Sequence, residues 1–70
     1  MKKAEYFAAQ EKTKKQIENG FITIQEGAEI MLRNLRRLRD ETNYLDDHGN
    51  YIDLHSAYHR VFLDLAKLTR

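Results

Sequence analysis

The sequence predicts an all-α fold: an antiparallel helical hairpin with an additional N-terminal helix, pairing with a second copy into a helix bundle. Three observations carry that expectation. Apolar residues recur at alternating steps of four and three along residues 24–45 and again along 54–69, which is the seam of a coiled coil or bundle. The chain has no proline and three glycines, so little interrupts regular structure. It also has no cysteine, which excludes disulfides and thiolate metal sites and leaves regular helix packing or self-association to hold a small chain together. Its 70 residues make one domain, 1–70, and a chain of that size buries only about 60% of its unfolded surface.

The N-terminal helix occupies 1–19, running from Lys3 to Glu18 and stopping at Asn19-Gly20, where glycine suits the left-handed end of a helix. Its apolar content is thin: Ala4, Phe7, Ala8 and Ile17 flank a polar middle from Gln10 to Gln16. It is expected to pack by its ends only.

The long helix, 24–45, opens with a capping box, Thr23 and then Glu26 three residues on. Its seam reads Ile24, Ala28, Met31, Leu35, Leu38 and Leu45, with Thr42 in the one polar slot. A loop follows over 46–53. Alternatively, residues 44–52 close as a small β-hairpin with Gly49 in the left-handed position. The C-terminal helix, 54–69, has Asp53 as its N-cap and Leu54, Tyr58, Val61, Leu65 and Leu68 as its seam.

Both long helices carry more apolar surface than one seam uses. Ile30, Met31 and Leu32 are consecutive, as are Val61, Phe62 and Leu63. The surplus is expected to be covered by Phe7, Ile17, Phe21 and Ile22, or by a second copy in a homodimer.

Charge bears on the partner. Residues 1–19 carry five lysines against three glutamates, 24–45 four arginines against four acids, and 46–70 three bases against four acids. The segment 24–45 that contains the arginine-rich stretch is therefore neutral as a unit. Glu29, Asp40 and Glu41 stand four residues from Arg33, Arg36 and Arg37 respectively, the spacing of helical ion pairs. Arg39 has no acid at three or four residues, which makes it the arginine offered to a partner.

The function expected from these features is binding another protein, as an adaptor, regulator or inhibitor acting by surface occlusion. Its anchors are Arg39, Tyr44, Tyr51, Phe62 and Leu63. The alternative is a nucleic-acid-binding regulator using Arg33, Arg36 and Arg37 with Lys12 and Lys15 of the N-terminal segment. A helix-turn-helix is not expected, because the heptad runs unbroken where its turn would fall.

Other chemistry has little support. His55 and His59 share a face and His48, Asp46, Asp47 and Asp53 are near in sequence, but no zinc or calcium spacing is met, and neither metal nor other cofactor is expected. Ser56 and His59 supply residue types for hydrolysis without a pocket to activate them, so no enzyme is expected. No run approaches the length of a membrane span, and Glu5 and Glu11 break any signal-peptide core. The expected location is cytoplasmic, and the size and type suit accessory proteins of phages or plasmids.

Overall fold

The computed structural model describes residues 2–46 and 48–69. Among them are three helices, α1 (Lys3–Glu18), α2 (Ile24–Glu41) and α3 (Leu54–Leu68), with no strand. α2 is the middle element. α1 and α3 both pack on it and meet each other only sparsely. The molecule measures 37 × 19 × 15 Å.

α1 ends as its sequence predicts. Gly20 adopts φ +76. Phe21 N–H donates to Gln16 O and Gly20 N–H to Ile17 O, the two bonds of a Schellman cap. Its packing differs from expectation, because two residues of the polar middle, Gln10 and Thr13, are buried. Tyr6, Gln10 and Thr13 are the buried residues of α1, and with Ile17 they form a stripe at steps of four, three and four. Gln10 is tolerated there because every hydrogen-bonding group it has is used. Its amide nitrogen donates to the Tyr6 hydroxyl and to Met31 O, each at 3.2 Å, and its oxygen accepts from Asn34 Nδ2 at 3.0 Å. A buried amide so satisfied avoids the cost of an unmet polar group. The Thr13 hydroxyl donates to Ala9 O within the helix.

The far end of this interface depends on a glycine. Gly27 is buried in the first turns of α2. A β-carbon built there would stand 2.2 Å from Ile17 Cδ1 and 2.6 Å from Ile17 Cγ1. Gly27 therefore admits the Ile17 side chain against the α2 backbone, which a larger residue would prevent.

α2 starts with the expected capping box: Thr23 Oγ1 accepts from Glu26 N–H, and the Glu26 carboxylate accepts from Thr23 N–H, both at 3.1 Å. It is shorter than the predicted 24–45. Thr42 is the C-cap. Asn43 (φ 56) and Tyr44 (φ 68) are both left-handed, and Tyr44 N–H donates to Arg39 O. Asparagine replaces the usual glycine at the terminating position. Leu45 continues the heptad count but not the helix; it pairs instead with Tyr51 in an isolated antiparallel bridge.

The hairpin alternative thus holds in miniature. Besides that bridge, Ile52 N–H donates to Tyr44 O and Asp46 N–H to Asn50 O, each at 2.8 Å, and Gly49 has φ +81. The Asp46 carboxylate accepts from the N–H groups of His48 and Asn50, a side-chain closure of the turn. Those two bonds, Asn50's first, hold its carboxyl below the ordinary value of 3.8. Asp47 lies outside the described residues. Asp53 caps α3 as expected, accepting from Ser56 N–H and Ser56 Oγ. Those bonds, the hydroxyl's first, likewise lower its carboxyl pKa.

The core is small. Met31 and Leu35 are fully buried, with Val61, Leu38 and Tyr6 close behind. Ile52, Ala57 and Tyr58 pack against the cluster of Tyr6, Leu35 and Leu38. Tyr58, expected in the core, is half-buried at its edge.

Candidate partner-binding surface

Arg39 lies in line with Leu32 on the α2 flank that faces α3 rather than α1. Its guanidinium sits over the Tyr44 ring, 5.9 Å from the centroid, within reach of a cation–π attraction. The left-handed backbone of Tyr44 is uncommon for a bulky side chain, and it occurs where the ring turns back on Arg39. Contrary to the sequence reading, Arg39 has an acidic partner: its Nε donates to Asp40 Oδ1 at 3.0 Å. The bond joins neighbours in sequence, which do not share a helix face. A count of residues three and four away therefore could not find it. Asp40, the phenols of Tyr44 and Tyr58 adding to it, raises the Arg39 pKa above its ordinary value.

Tyr58 extends this flank across α3, and Phe62 stands one turn further along. Phe62 is 59% exposed. Arg39 lies over Tyr44 and feels the Tyr58 phenol as well, and Phe62 follows Tyr58 by one turn of α3. Arginine and aromatic side chains on one surface are the composition of interface centres.

The other two expected anchors lie elsewhere. Leu63, two residues past buried Val61, points roughly 160° away from it. It borders a shallow depression with His55, Ser56, His59 and Arg60. Tyr51, 84% exposed, stands on the wall of a separate groove of about 350 Å³ between the N-terminal halves of α1 and α3. Leu35 and Leu38 form its floor, Tyr6, Phe7, Ile52 and Ala57 its sides, and Lys3, Asp46, Asp53 and Arg60 its charged rim. The surplus apolar arc of α3 is not covered by α1. Ile17 and Ile22 are used at Gly27, while Phe7 and Phe21 are themselves exposed.

The charged residues are arranged differently from expectation too. Arg37 pairs with Glu41 at 3.2 Å as predicted. Arg33 and Arg36 have no ion pair among the described residues; Asp40, four residues from Arg36, turns to Arg39 instead. Lys12 and Lys15 line the outward side of α1 with Phe21. The one ion pair joining α1 to α3 among the described residues is Lys14 Nζ with Asp64 Oδ2 at 3.5 Å, both largely shielded. Glu11, which hydrogen-bonds Lys14 from the next turn, contributes most to raising the Lys14 pKa, and Asp64 adds to it.

The Tyr6 phenol has its pKa raised above the ordinary value. Burial is the main cause, the Gln10 hydrogen bond opposes it, and the Asp64 charge adds to it. His55 and His59 are both exposed, and no group of three or more metal-ligating side chains occurs among the described residues. No helix is long and apolar enough to cross a membrane among them.

Two contributors were missed at the level of sequence. Tyr58 was assigned to the core because it occupies a seam position, and only its half-exposure on the outer side reveals a second role. Phe7 was assigned to covering apolar surface, yet it is a wall of the groove. The aromatic spacing Tyr58–Phe62, four residues on one helix face, is the signal that could have found the flank. Compared with known protein families, with curated proteins and with solved structures, the chain matches none.

Proposed function

We propose that this chain is a small protein-binding module, acting as an adaptor, regulator or inhibitor by covering a surface of its partner. The observation that carries the reading is the flank of Arg39, Tyr44, Tyr58 and Phe62. It joins an arginine already oriented by Asp40 and Tyr44 to exposed aromatic surface. A preoriented side chain loses less freedom when a partner covers it. As part of the same proposal, the chain pairs with a second copy through a contact that leaves this flank free.

A nucleic-acid-binding reading has one observation in its favour, the absence of ion pairs at Arg33 and Arg36 among the described residues. Against it, Lys12 and Lys15 lie on the outside of another helix, away from the arginines, so the two groups do not form one basic face.

Capture from a lysate of source cells, with and without nuclease and across a salt series, separates the readings. The expected result is a protein retained after nuclease and at high salt. Capture is lost with Arg39→Ala or Phe62→Ala and kept with the Arg33→Ala/Arg37→Ala double variant. Nuclease-sensitive, salt-sensitive binding that disappears with the double variant instead supports the nucleic-acid reading.

A further inference from the structure

We propose that the groove between α1 and α3 is the self-association face: α3 lies antiparallel to α3 of a second copy, with Asp53 of each chain facing Arg60 of the other. This inference concerns a different surface from the partner flank and stands or falls apart from it.

The argument begins with charge. The groove's rim carries two cations, Lys3 and Arg60, and two anions, Asp46 and Asp53. A partner of strongly one-sided charge would be met by a rim of the opposite sign. A two-fold interface instead brings one patch against itself, so residue i meets j and j meets i, and the patch must carry both signs. This rim does. Arg60 has no ion pair among the described residues, and the nearest acid on its own helix, Asp64, is held by Lys14.

The spacing along α3 fits an antiparallel copy. Asp53 and Arg60 are seven residues apart, two helical turns or about 10 Å, and so lie on one face. Midway between them are Ser56 and Ala57, small side chains that let two helices approach closely. Reversing a second α3 over this midpoint superposes Asp53 on Arg60, and Arg60 on Asp53, and sets Ser56 of each copy opposite position 57 of the other, beside the two-fold axis. No other pair of opposite charges on the exposed part of α3 is centred on small residues in this way.

Apolar surface supplies the rest. Phe7 (53% exposed) and Tyr51 (84% exposed) stand on the groove walls. Full burial of such a side chain removes roughly 150–250 Å² from water; Tyr51 has most of that still to bury and Phe7 about half, a share of the ~800 Å² per partner of a standard interface. The occupant of the groove is thus α3 of a second copy, whose small, exposed Ser56 brings it down between these rings.

The absence of cysteine gives a clean test on the full chain. A Ser56→Cys variant keeps the backbone N–H that Asp53 uses, and under mild oxidation it is expected to form a disulfide-linked dimer. A Gln25→Cys variant, at the exposed start of α2, is expected to stay single. By sedimentation equilibrium at micromolar concentration, Arg60→Glu should raise the dimer dissociation constant about tenfold or more, through like charges facing Asp53. Its helical circular dichroism should be unchanged.

A mass of one chain, 8.3 kDa, throughout the series would overturn the proposal. So would cross-linking of Gln25→Cys as fast as Ser56→Cys. A dimer that Phe62→Ala dissociates and Arg60→Glu leaves intact would move self-association to the other flank, and also contradicts it.

Discussion

Helix α1 meets α2 through Tyr6, Gln10, Thr13 and Ile17, whereas α3 meets it through Ala57, Tyr58 and their apolar neighbours. The first contact is organised by one glutamine, hydrogen-bonded to Tyr6, Met31 O and Asn34, and by Gly27, which lets Ile17 in. The second is an apolar seam on Leu35 and Leu38. Apolar seams are tolerant, since neighbouring side chains adjust when one changes. Polar networks are not, since a lost member leaves the others buried without partners. The comparison therefore says that α1 is held specifically and α3 generically, and that removing one member of the polar network loosens α1 while α3 stays packed.

The largest expected effect is one that cannot distinguish the two sides. Leu35 is fully buried and belongs to both, so Leu35→Ala should cost about 2–5 kcal/mol in chemical denaturation. It should loosen α1 and α3 together. Gln10→Ala breaks the symmetry. Loss of the amide strands the Tyr6 hydroxyl and Asn34, a cost of about 1–3 kcal/mol. Amide hydrogen exchange should rise along α1 while α2 and α3 keep their protection. Equal loss across all three helices would break the comparison.

Gly27→Ala gives a test of sign. Alanine is the better helix former by about 1 kcal/mol, yet the new methyl would collide with Ile17 and should lower stability by about 1–3 kcal/mol. In that background Ile17→Ala should cost less than it does alone, a coupling readable from a double-mutant cycle.

Smaller effects sharpen the other side. Tyr44→Gly relieves the left-handed backbone at φ 68. The relief is partly offset by the freedom glycine adds to the unfolded chain, so stability should change by less than about 1 kcal/mol. Partner binding should fall, because the ring over Arg39 is gone. The smallest effect is acidic. The carboxyl pKa values of Asp46 and Asp53 are lowered in the fold. Their contribution is therefore complete above the ordinary 3.8 and is lost as pH falls through their lower folded values. In NMR spectra recorded below pH 4, the turn and first residues of α3 should open before the α1–α2 contact does.

This difference in chemistry also decides what could be read from the sequence. The hairpin of α2 and α3 and both of its caps were legible, because Thr23, Glu26 and Asp53 act locally and the apolar steps are regular. The burial of Gln10 and Thr13 was not. A polar residue joins a core only when partners 21 and 24 residues away satisfy it, and no local pattern records that. The end of α2 was misplaced because Asn43 took the part of glycine while Leu45 kept the heptad count by coincidence. Of the five anchors, Arg39 and Tyr44 come together, and Phe62 is exposed one turn past Tyr58 on α3. Tyr51 and Leu63 do not, because helix phase sends Leu63 outward and the reversed turn carries Tyr51 to the groove.

The central claim is that a protein partner is held by the outer flank of α2 and α3. Backbone and side-chain chemical shifts recorded as the captured partner is added test it most directly. The expected result is perturbation centred on Arg39, Tyr44, Tyr58 and Phe62, with Lys12, Lys15, Arg33 and Arg36 unchanged. Perturbation centred on those four basic residues, with the aromatic flank unmoved, would contradict it.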